Sequence, residues 1–141
     1  MAQQFDLNKE MARSTGIGPQ VVALAGTVDG TVFYPMAEFH TGVLLGQATL
    51  AEADTAVFVL LSAEDAIGTN AAATTILFTL TGGTGGSVEI GSIGFDQHDI
   101  PYPGHLFVGA RCVLDGDANT ISAAILRSDP RYSYNGVADH A

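Results

Sequence analysis

"TTILFTLTGGTGGSVEIGSIGF", residues 74–95, decides how the rest of the chain is read. Its first eight residues alternate. Ile76, Phe78 and Leu80 share one parity, and Thr75, Leu77, Thr79 and Thr81 share the other. A period of two marks a strand that buries one face. A glycine-rich loop behind an apolar strand is also where nucleotide-binding proteins cradle phosphate, so that chemistry has to be tested. A P-loop needs G-x-x-x-x-G-K-[ST], because the lysine neutralises phosphate and the hydroxyl holds magnesium. No lysine follows Lys9 in this chain. The dinucleotide fingerprint needs a third glycine and then a helix. Counted from Gly83, the third position is Val88, and another strand pattern follows. Glycine reaches positive φ without steric cost, which a hairpin tip requires. The stretch therefore reads as strand, turn, strand.

Outward from it, the same signals recur. "VVALAGTVDGTVFYP" (21–35) looks like a hairpin closed by Asp29-Gly30, a pair suited to a type I′ turn. "GVLLGQATL" (42–50) is a weaker strand. "TAVFVLLS" (55–62) is apolar on both parities, which predicts cover on both of its faces. "HLFVGARCVL" (105–114) and "TISAAILR" (120–127) complete the set, with "DIPYPG" and "DGDAN" as turns. Short strands at this spacing predict an all-β fold, an antiparallel sandwich of jelly-roll type. The expected domain spans residues 21–128, with a tail over 129–141.

Residues 1–20 lack an obvious strand pattern and are expected to form an extended N-terminal arm that docks on a partner subunit. Phe5, Leu7 and Met11 are its apolar anchors, and Lys9 and Arg13 its cations. Arg131, Tyr132 and Tyr134 in "DPRYSY" are residue types that anchor interfaces. A solvated tail explains them equally well.

The chain has 141 residues, enough for one domain with a core of its own. Its net charge is −10 with only 14% charged residues. So few charges imply that a partner covers part of the surface. Phosphate binding rests on Lys and Arg, so nucleic acid and anionic membranes are poor partners. The apolar runs are far too short to span a bilayer as helices, and no signal peptide opens the chain, so a soluble protein made in the cytoplasm is expected. Edge strands are commonly blunted by lysine or proline. This domain is poor in both, so neighbours are expected to cover its edges.

No catalytic constellation emerges. "DGDAN" sets Asp115, Asp117 and Asn119 at alternating positions, but a calcium loop then needs Gly and Glu where Thr120 and Leu126 stand. "FDQHDIPYPGH" gathers Asp96, His98, Asp99 and His105 on a proline-rich loop without metal-ligand spacing. No G-x-S-x-G elbow is present. Cys112 shares strand parity with Leu106, Val108, Ala110 and Leu114 and reads as a packed thiol. The expectation is a non-enzyme without metal or cofactor.

"FVLLSAED" (58–65), "VEIGSIGF" (88–95), "GHLFVGARCVLDGDANTISAAIL" (104–126) and "DPRYSY" (129–134) together resemble the small auxiliary virion proteins of tailed bacteriophages. The resemblance implies a β-sandwich on the outer surface of the capsid. There it would act as a decoration or cement protein, bound to the major capsid protein and often a homotrimer. A tail or head-fibre adhesion module and a small ligand-binding sandwich are the alternatives. The chain has no Trp and four Tyr, fewer exposed aromatics than a glycan binder usually shows.

Overall fold

The computed structural model describes residues 11–130. They form nine strands: β1 (Met11–Val22), β2 (Gly26–Asp29), β3 (Tyr34–Pro35), β4 (Phe39–Leu50), β5 (Thr55–Ala63), β6 (Ala72–Thr81), β7 (Ser87–Asp96), β8 (Phe107–Leu114) and β9 (Asn119–Pro130). A single 3-10 turn, Gln97–Asp99, interrupts them. The strands make two antiparallel sheets. Sheet A has the order β1-β9-β4-β7, and sheet B the order β2-β8-β5-β6 with β3 also on β8. Only β5 and β6 pair as a sequential hairpin; most other connections cross from one sheet to the other. With β2 and β3 counted as one interrupted strand, eight strands wound this way form a jelly roll. The all-β sandwich expected from the alternating patterns is the observed fold.

The core lies between the sheets. From sheet A, Leu44, Ala48, Ile121 and Ile125 point inward, and from sheet B, Phe58, Leu60, Val108 and Cys112 meet them. Full burial of a side chain the size of Leu or Phe contributes about 1.5–3 kcal/mol each. The alternation in β6 is as read: Ile76, Phe78 and Leu80 face the core side, and Thr75, Leu77, Thr79 and Thr81 are exposed or turned outward. Phe58 stacks on Phe78 with ring centroids 5.3 Å apart. Gly46 lies directly beneath the Phe58 ring, where an added Cβ would come within 2.7 Å of it.

Three expectations need correction. The arm expected over residues 1–20 is a strand from Met11 onward. β1 pairs with β9 from Met11↔Ser128 to Val22↔Asn119, and Ile17 is buried in the core. Two register shifts, around Ile17, disguise it in the sequence by breaking the period of two. The hairpin expected at Asp29-Gly30 is absent. β2 and β3 both run along β8, with Asp29 opposite Arg111 and Tyr34 opposite Val108. They are one interrupted edge strand, and the residues between them loop out. That loop carries Phe33, which is buried against Leu61 and Ala63 and whose N–H donates to the Ala66 carbonyl. Finally, the "GGTGG" turn joins strands of different sheets rather than a hairpin. Gly82 N donates to Asp54 O, and Gly85 N to the Glu52 carboxylate, so the turn is tied to the β4–β5 corner.

Both faces of β5 are covered, as its double apolar parity predicts. The outer cover over Leu61 and Ala63 comes from Phe33 and Phe107 of the same chain.

Candidate interface

Strand pairing fixes which side chains stand on the outer face of sheet A. β4 lies between β7 and β9, and its register with each is regular over the paired residues 41–49. Four rows cross the face: Val88–Thr49–Thr120, Ile90–Gln47–Ser122, Ser92–Leu45–Ala124 and Gly94–Val43–Leu126. None of these twelve residues is charged, in a chain of net charge −10. Val88 is 57% exposed and Ile90 71% exposed. A shallow hollow of about 290 Å³ opens on this face between Thr15, Ile17 and Pro19 on one side and Leu45, Gln47 and Ile90 on the other. Dehydrating hydroxyls and short aliphatic groups costs far less than dehydrating carboxylates. The face is suited to contact with protein.

The outer face of sheet B differs. Asp29 and Arg111 form a two-point ion pair across β2 and β8, at 2.7 and 3.1 Å, and Asp29 holds the Arg111 guanidinium above its ordinary pKa.

The polar groups singled out in the sequence are occupied by structural work. The Asp115 carboxylate accepts the Thr55 N–H at 2.6 Å, which holds its pKa below the ordinary value of 3.8. Asp117 accepts the Ala25 N–H at 2.7 Å. Asn119, buried, accepts from Ala51 N and donates to Asp54. Asp96 accepts the His98 N–H and Asp99 accepts the Asp96 N–H, which closes a capping box on the 3-10 turn. His105 Nδ1 lies 2.8 Å from Ser62 Oγ, but Ser62 is fully buried, so no substrate reaches that hydroxyl. Burial pushes the Cys112 thiol up to about 12, which keeps it protonated and unreactive near neutral pH. Among the described residues, no group of three or more His, Cys, Asp or Glu side chains is placed to hold a metal ion, and no helix is long and apolar enough to cross a membrane.

Of the interface residues read from the sequence, Phe5, Leu7, Lys9, Arg131, Tyr132 and Tyr134 lie outside the described residues. Met11 and Arg13 belong to β1, opposite Ser128 and Leu126. The outer face of sheet A went unread. Its signal was present in "SVEIGSIGF", where Val88 and Ile90 share a parity with Ser92 and Gly94 and no charge stands among them.

No family model and no curated protein sequence matches the chain. Solved structures do match its fold. Infectious bursal disease virus, Gx strain, aligns with a TM-score of 0.49 at 14% identity over 88% of this chain and 32% of that chain. The Kashmir bee virus empty particle at acidic pH aligns with a TM-score of 0.45 at 9% identity, over 92% of this chain and 80% of that one. The N-terminal cellulose-binding domain of the Cellulomonas fimi β-1,4-glucanase C aligns with a TM-score of 0.46 at 13% identity, over 85% and 89%. The chain spans about a third of the length of the infectious bursal disease virus chains it matches. Likeness at this level describes sheet architecture and assigns no activity.

Proposed function

We propose that this chain is a structural virion protein, a decoration or cement protein that binds the major capsid protein on the outer surface of a phage head. The observation that carries the reading is the patch of twelve uncharged residues that β7, β4 and β9 present on the outer face of sheet A. Jelly rolls serve viral capsids, lectins and cupins alike, so the fold alone does not choose among them. A sugar-binding face presents stacking aromatics, and the four rows of sheet A contain none. A face of threonine, serine, glutamine and aliphatic side chains fits the charge-poor centre of a protein–protein contact instead. The resemblance in residues 58–134 supports the same reading. The acidic remainder of the surface would keep the protein off packaged or free DNA during assembly.

Cosedimentation tests it. The purified protein is mixed with DNA-free heads assembled from the major capsid protein of the genome that encodes it. Saturable binding is expected, and Leu45→Asp, which places a carboxylate in the middle of the face, should weaken it. Protein that stays in the supernatant at every concentration rejects the reading.

A further inference from the structure

A jelly roll leaves edges, and the edges of this one are unequal. β1 carries two register shifts and Pro19. The β2–β3 edge is broken into pieces of four and two residues and ends at Pro35. The pairing of β6 with β5 shifts register near Thr74, whose hydroxyl donates to the Leu60 carbonyl. Each is a device that discourages a further strand. β7 has none of them. Its ten residues pair with β4 without a register shift, and it contains no proline and no lysine. Its far edge pairs with no strand among the described residues, and its two exposed aliphatic side chains, Val88 and Ile90, stand beside that edge.

We propose that β7 pairs antiparallel with β7 of a second copy of this chain, across a two-fold axis perpendicular to sheet A. A second copy is the occupant because an antiparallel pair of the same strand is self-complementary, and the outward residues Val88, Ile90, Ser92 and Gly94 bring no like charges opposite each other. Two copies that each carry −10 repel wherever acidic surfaces meet, so they approach best through the one long edge beside an uncharged face. The only charged side chain within β7's central run is Glu89, which points to the core side and accepts from Ser87 Oγ at 2.7 Å. A two-fold axis near the strand's midpoint, at Gly91 or Ser92, leaves the two Glu89 residues at least four positions apart. At 3.3 Å per residue that is about 13 Å, beyond the Debye length of about 8 Å at physiological salt.

The pairing joins two copies of sheet A into one eight-stranded sheet and sets their two uncharged patches side by side. By strand spacing and rise, the four rows of one copy cover roughly 350 Å². A stable contact buries about 800 Å² per partner. Two copies side by side approach that size, and one alone does not. This last point rests on the proposed capsid contact; the pairing itself does not. Two-fold pairing replaces the trimer that the family resemblance implies.

Light scattering on the full chain in solution, with no shell protein present, tests it over a dilution series. The mass should rise from 14.5 kDa toward twice that value with concentration. Ile90→Lys, and independently Val88→Lys, should raise the dimer dissociation constant about tenfold or more, because lysine is what natural edges use to refuse a strand. Both side chains are exposed, so the circular dichroism of either variant should be unchanged, and one that misfolds is replaced by the other. Ile67→Lys, on the 64–71 loop, should leave the dimer intact. Raising salt to roughly 0.5 M should preserve or strengthen the dimer, since it screens only the repulsion. A mass of three chains, a monomer at the highest concentration, or a dimer indifferent to both lysines overturns the proposal. Because the assay contains no capsid, its failure is separate from a failure to cosediment.

Discussion

Arg127 shows how much a single residue can carry without a signal in the sequence. It sits on β9 and is 8% exposed. It donates to the Pro35 carbonyl at 2.6 Å and to Ser14 Oγ at 3.0 Å, and lies over the rings of Phe39 and Tyr34 at 5.0 and 5.5 Å. It thereby ties β1, β3 and β4 to β9. Arg127→Met removes the donors to the buried Ser14 hydroxyl and the part-buried Pro35 carbonyl, and a buried acceptor left unpaired costs about 1–3 kcal/mol. A loss of about 2–4 kcal/mol is expected in urea unfolding. Arg127→Lys should recover little, because a single ammonium nitrogen does not replace the planar fork whose two nitrogens reach Pro35 and Ser14 separately and whose plane lies over the rings. Asp115 gives a pH prediction. Its folded pKa lies below 3.8 because it accepts the Thr55 N–H, so its contribution is present above that value and is lost as the pH falls through the folded value. Asp115→Asn should lower the urea midpoint at pH 7, and the gap from the wild type should close as the pH falls below the ordinary carboxylate range. A gap that is constant with pH would mean that the carboxylate charge is irrelevant to the bond. Of these roles, the sequence made legible the polar loop around Asp115 and the inward parity of Cys112. The partners were not legible, because Thr55 and Asp115 are distant in the chain, and a lone arginine in a strand reads as solvated.

At the scale of elements, the regular strands were readable and the irregular ones were not. β6 keeps its parity, so its apolar residues announce their face, and β5 announces cover on both faces by being apolar on both parities. β1 hides because its register shifts at Thr15–Ile17 and Ile17–Gln20 reset the alternation twice. Asp29-Gly30 looks like a hairpin because the local chemistry suits a turn, yet the following apolar residue, Phe33, gains more by capping Leu61 than by pairing with β2. Local propensity lost to burial, as it commonly does in sheets. The position of β1 sets a truncation boundary. Removing residues 2–10 deletes nothing from the described strands and should leave the melting temperature nearly unchanged. Removing residues 2–20 takes away most of β1, unpairs one side of β9 and strips Ile17, 2% exposed, from the core. Ile17 alone accounts for about 1.5–3 kcal/mol. The longer truncation should be markedly destabilised or insoluble. A domain as stable as the full chain after that deletion would show that β1 is dispensable.

For the whole molecule, composition and alternation pointed to a sandwich, but the strand order could not be read from them. Alternation fixes which side of a strand is buried, not which strand lies beside it, and a jelly roll places strands distant in sequence next to each other: β1 on β9, β2 on β8. The charge was legible from the start, and its consequence belongs to this scale. Fifteen acidic residues against five basic ones make the folded chain repel itself, so added salt should raise its melting temperature by screening. Calcium tests whether anything more specific is present. The obvious ligands are Asp115, Asp117 and Asn119, but each already accepts a backbone N–H, from Thr55, Ala25 and Ala51 in turn. A cation that drew those oxygens together would compete with bonds that hold the β4–β5 corner and the start of β2. Calcium and sodium at matched ionic strength should therefore give the same shift, and Asp117→Ala should lower the melting temperature equally in both. A ligand bound only by the folded state raises stability by mass action, and so betrays itself as an excess over screening. If calcium added several degrees beyond sodium and Asp117→Ala abolished the excess, the loop would be a metal site and the structural account of its three side chains would fail.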